Sequence, residues 1–82
     1  MHFSTIGTNR WEVISDDGQF AAAIRRRDLS DGRYGYAVND ISPHRASPRL
    51  LDDGHQLPSL ERAKGFVLGY ALAQEHHQET TS

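Results

Sequence analysis

From Ser59 to His77, nineteen residues read as one helix that carries apolar or small side chains on nearly every side. Ser59 is a good N-cap, Glu61 suits the positive end of the helix dipole, and Leu60 begins the apolar period. Leu60, Ala63, Val67, Tyr70 and Ala71, with Phe66 at the margin, form a stripe that can cover a sheet. Around the helix lie Leu68 and Leu72, then Gly65, Gly69 and Ala73, a flat ridge of small residues at intervals of four. So much apolar helix surface exceeds what a few short strands can cover. The remainder must face water or another protein.

The rest of the chain is short. Its 82 residues support a single domain, because a chain of this size buries only about 60 to 65% of its unfolded surface. Total stability is then about 4 to 12 kcal/mol, at roughly 0.05 to 0.15 kcal/mol per residue. We place the ordered core at about 10–77, frayed ends at 1–8 and 78–82, and a long loop at 42–58. That loop holds all three prolines, Pro43, Pro48 and Pro58, with Asp52-Asp53-Gly54 between them, which leaves no room for a long regular element. Leu50-Leu51 is its anchor or a short extra turn.

Three strand candidates precede the loop. Trp11 to Ser15 and Phe20 to Arg27 flank Asp16-Asp17-Gly18-Gln19, and Asp-Gly between apolar alternations signals a hairpin. Pairing across it sets Ser15 opposite Phe20, Val13 opposite Ala22 and Trp11 opposite Ile24 on one face. Glu12 opposite Ala23, Ile14 opposite Ala21 and Arg10 opposite Arg25 take the other. The third strand, Arg33 to Ile41, has two registers. A two-residue Asp31-Gly32 loop pairs Val38 with Arg25. A three-residue Ser30-Asp31-Gly32 loop with Gly32 left-handed pairs Val38 with Ile24 and Tyr36 with Arg26. The second gathers the large side chains on one face and removes more apolar area from water, so we expect it. The expected fold is α+β: a three-stranded antiparallel sheet (β-β-β), a long loop, and one C-terminal helix packed on one sheet face.

Composition narrows function by exclusion. Without cysteine there are no disulfides or thiolate metal sites, which fits a reducing compartment. No apolar run is long enough for a signal peptide or a membrane span, so we expect a cytoplasmic protein with no membrane partner. A net charge of -2 gives no global attraction to phosphate. Charge is uneven, however: residues 1–49 hold seven Arg against six acids, and residues 50–82 hold two basic residues against five acids.

Each candidate constellation also has a plain structural reading. Two glycines inside a helix cost up to about 1 kcal/mol each relative to alanine, which implies a packing reason for the ridge. Gly65, Leu68, Gly69, Leu72 and Ala73 are therefore candidates to bind a partner or a second copy; alternatively the ridge packs on the protein's own sheet or loop. Arg25-Arg26-Arg27, with Arg10 and Arg33 on neighbouring strands, is the only basic cluster. Arg10, Arg25, Arg27 and Arg33 on a flat face of Ala21, Ala23, Gly35 and Ala37 form a candidate nucleic-acid surface. The plainer reading is a solvated, charge-protected edge, since Glu12, Asp28 and Asp31 lie close by.

His44, Asp52, Asp53 and His55 lack the spacing of a preorganised metal site and read as a solvated loop. His76-His77 reads as capping of the helix C-terminus. Tyr34, Tyr36, Trp11 and Phe20 could stack bases if exposed, but alternating large residues are more often core. No nucleophile elbow, P-loop, paired-carboxylate helix or dinucleotide fingerprint occurs, so we expect no enzyme, cofactor or metal.

The order strand, strand, strand, helix with arginines on the sheet, from Trp11 to His77, resembles the small three-stranded DNA-binding domains of integrase amino-terminal regions and plant AP2 factors. The resemblance is one of topology. The plan also resembles the second part of a double-stranded-RNA-binding domain, without its leading helix and with Arg62-Ala63-Lys64 at the helix start. With the Leu60 to Gln74 helix after a proline-containing loop, the chain is similar overall to small stand-alone bacterial proteins of unknown function, a likeness that implies no activity.

Overall fold

The computed structural model describes the backbone of residues 1–81 and the side chains of residues 1–73. Five strands, β1 (His2–Gly7), β2 (Arg10–Ile14), β3 (Ala21–Asp28), β4 (Tyr34–Asp40) and β5 (Arg49–Asp52), precede one helix, α1 (Leu60–Thr81). The strands form one antiparallel sheet in the order β1-β2-β3-β4-β5. The class is α+β as expected, but the sheet has five strands rather than three. β1 lies within the segment expected to fray, and β5 within the segment expected to be a loop.

Both hairpins have the expected register. Ser15 N–H donates to the Phe20 carbonyl at 2.9 Å and closes the first, with Val13 opposite Ala22 and Trp11 opposite Ile24. In the second, Leu29 N–H donates to the Arg33 carbonyl at 2.8 Å, Gly32 adopts φ 85°, and Val38 pairs with Ile24. Left-handed backbone at Gly32 is what a three-residue loop requires. This register puts the large side chains of β2, β3 and β4 on a single face.

α1 lies on that face. Ser59 Oγ accepts from Arg62 N–H at 3.2 Å, so the N-cap is formed. The core joins Val13, Ala22, Ile24 and Val38 of the sheet to Ala63 and Val67 of the helix and to Leu57 of the connecting segment. Trp11, Phe20, Tyr36, Leu51, Leu60 and Phe66 pack against it. The Trp11 and Tyr36 rings lie 5.7 Å apart, and Phe20 meets Tyr70 at 5.8 Å. Five strands at about 4.8 Å spacing make a sheet about 19 Å across, roughly twice the width of one helix. α1 therefore covers only the middle of the sheet.

Glycine closes the other side. Gly54, at φ 98°, lies against β4, and a Cβ on Gly35 would strike the Gly54 carbonyl oxygen and come within 2.8 Å of its carbon. Tyr36 N–H donates to the Leu57 carbonyl at 3.0 Å. The end of the long connection is thus fastened along β4 beyond the short β5. Of Leu50-Leu51, only Leu51 is the anchor; Leu50 is exposed.

Candidate functional site

The outer face of α1 is open. Gly65, Leu68, Gly69, Leu72 and Ala73 are all exposed, with Leu68 at 49% and Leu72 at 65%. A Cβ added at Gly65 or Gly69 would meet nothing within 4 Å. The ridge therefore does not pack on the protein's own sheet or loop among the described residues. Helical period explains the arrangement: Ala63, Val67 and Ala71 turn inward and are buried, Gly65, Gly69 and Ala73 two positions beyond them point away, and Leu68 and Leu72 one position beyond stand on the flank. The expected capping by His76-His77 lies outside the described side chains.

Beside this strip, between α1 and β1, runs a groove of 160 Å³ lined by Met1, Phe3, Val13, Lys64 and Leu68. Phe3 faces the helix side of the sheet but lies beyond the reach of α1, so it remains 39% exposed. The Lys64 ammonium sits 4.2 Å from its ring centroid.

The opposite sheet face is flat and partly basic. Ala21, Ala23 and Ala37 form its floor, and Arg10 stands directly opposite Arg25. Like charges opposed in this way are unfavourable. Arg10 lies 3.6 Å from Glu12, and Arg27 donates to the Asp53 carbonyl at 3.0 Å. Arg26 points to the helix side and covers the Tyr34 ring at 4.0 Å. Arg33 is in the hairpin loop, where its Nε donates to Asp31 at 2.7 Å, and this pairing holds the Asp31 carboxyl below its ordinary pKa. Of the four candidate arginines, Arg10, Arg25 and Arg27 share the face and Arg33 does not.

A buried polar cluster went unread in the sequence. Asp40, only 3% exposed, accepts from the Ser42 N–H at 3.0 Å, the Ser42 hydroxyl at 2.5 Å and Arg45 Nε at 2.8 Å. Ser42 Oγ in turn accepts from the Ala21 N–H at 3.1 Å. Burial pushes the Asp40 pKa up, but the Ser42 and Arg45 donors outweigh it and leave the carboxyl below its ordinary value. The cluster ties the end of β4 to the start of β3. The Asp-x-Ser spacing, in which a carboxylate caps the amide two residues on, is the signal that could have found it. The hollow above it, with His44 on its rim, holds 80 Å³, far below the few hundred Å³ of a small-molecule site.

His44, Asp52, Asp53 and His55 do not converge. Asp52 and Asp53 accept the backbone N–H groups of Gly54 and His55. Among the described residues no three His, Cys, Asp or Glu side chains are placed to share a metal ion, and no helix is long and apolar enough to cross a membrane. Trp11, Phe20 and Tyr36 belong to the core, and Tyr34 is exposed. Set against known protein families, curated proteins and solved structures, the chain matches none of them.

Proposed function

We propose that the protein is a non-enzymatic binding or assembly module that docks on another protein, or on a second copy, through Gly65, Leu68, Gly69, Leu72 and Ala73. One observation carries this reading: Leu72 is mostly exposed and Leu68 half exposed beside a glycine ridge with open space above it. The exposed part of each leucine gains nothing from folding, and glycine inside a helix loses stability, so both features favour a surface that is covered on binding. A partner helix could approach a ridge of this kind closely. The cysteine-free composition supports work in a reducing compartment such as the cytoplasm.

The test is Leu72→Glu. Light scattering or affinity capture should show loss of association, with circular dichroism and thermal melting close to those of the parent. A parent chain that stays monomeric at high micromolar concentration and captures no protein sinks the reading.

Arg10 opposite Arg25 supports a second reading, a weak nucleic-acid surface on the open sheet face. Titration with labelled duplex at low and moderate salt tests it, because phosphate contacts must weaken steeply as salt rises. A sheet about 19 Å wide exceeds the major groove, about 12 Å, so any such contact would lie along the backbone rather than inside the groove.

A further inference from the structure

We infer that β1 is a pairing edge for β1 of a second copy, joining two sheets into one across a two-fold axis at Ser4. This edge adjoins the outer strip of α1 across the groove that Phe3 and Leu68 line, but it is a different contact and has its own test. β5, the opposite edge, is short, follows Pro48, begins at Arg49 and ends at Asp52, and Leu57 occupies part of the β4 edge beyond it. Short, proline-flanked, charged or covered edges are how sheets avoid pairing with other chains. Among the described residues, β1 has none of these devices. Its six residues, all exposed, include no Lys, Arg, Asp, Glu or Pro, and the bulge against β2 falls only after Thr5.

Alternation of the ladder shows which β1 groups face outward. Ser15 N–H bonds Phe20, so Val13 also bonds toward β3, and Glu12 and Ile14 therefore bond toward β1. Their partners Ser4 and His2 turn their backbone groups inward, which leaves those of Phe3 and Thr5 pointing away from the sheet. Among the described residues these groups have no backbone partner in a turn or loop.

A second β1 fits this pattern. With the two-fold at Ser4, Phe3 of each copy lies opposite Thr5 of the other, so the outward N–H and C=O groups of both copies meet in register. Ser4 faces Ser4, the closer, non-hydrogen-bonded kind of pair. The axis is normal to the sheet, so both helices stay on one side and Phe3 extends the apolar surface continuously across the junction.

The experiment is charge exchange at Ser4, read by analytical ultracentrifugation at high micromolar concentration. The parent should be a dimer, Ser4→Lys alone and Ser4→Glu alone should each be monomeric, and an equimolar mixture of the two should restore the dimer. Thr5→Pro, which removes one outward N–H per copy and leaves the β1–β2 bonds in place, should weaken association about thirtyfold. A monomeric parent, single-charge variants that associate as the parent does, or a mixture that stays monomeric overturns the proposal. Association lost in Leu72→Glu but kept in both Ser4 variants also overturns it, and leaves the helix reading standing.

Discussion

Replacing Gly65 and Gly69 together by alanine should stabilise the monomer. Each glycine in a helix interior costs about 1 kcal/mol relative to alanine. Neither new Cβ meets an atom within 4 Å, so no overpacking opposes the gain, and both residues have ordinary negative φ. The sum is about 2 kcal/mol, a large fraction of a total near 4 to 12 kcal/mol. For a domain of this size it corresponds to a rise in Tm of about 8 to 16 °C. Urea denaturation followed by circular dichroism at low protein concentration measures it. Gly35→Ala is the contrasting control. Its Cβ would strike backbone at Gly54, and the expected change is a loss of about 1 to 3 kcal/mol. A double variant no more stable than the parent would refute the conclusion that the ridge is uncovered in the monomer. The same substitutions should weaken any partner that approaches closely along α1, so stability and association should move in opposite directions.

Ile24→Ala should cost about 2 to 5 kcal/mol, because the side chain is fully buried between α1 and the centre of the sheet; thermal melting should find the variant near its folding threshold. Asp40→Ala removes the acceptor shared by Ser42 and Arg45 and should cost about 2 to 3 kcal/mol in urea titration at neutral pH. Asp40 has a folded pKa below its ordinary 3.8, so its contribution is full above that value and fades as pH falls through the folded value. The difference between parent and Asp40→Ala should therefore narrow in strong acid, and a gap that persists there would show that Asp40 acts by packing alone.

Local chemistry determined the centre of this protein. The apolar runs Trp11 to Ser15 and Phe20 to Arg27, with Asp16-Asp17-Gly18-Gln19 between them, specified the first hairpin, since its turn sets Trp11 and Val13 opposite Ile24 and Ala22 on the face that α1 covers. Ser30-Asp31-Gly32 specified the second because only the three-residue loop unites Tyr36 and Val38 with Ile24. The α1 stripe and its Ser59 cap follow from helical period and hydrogen bonding. The outer edges were decided by tertiary structure. All six residues of β1 are exposed, so no burial alternation marks it, and it exists because Glu12 and Ile14 of β2 offer it hydrogen bonds. β5 is too short and too close to Pro48 to declare itself, and it forms where Leu51 reaches the core beside β4. Whether Gly65, Leu68, Gly69 and Leu72 were covered was likewise beyond one-dimensional pattern. Periodicity put them on faces away from the core stripe, but only the path of the chain decides what reaches those faces: within the described residues nothing lies over Gly65 or Gly69, while Leu68 borders the groove beside Phe3.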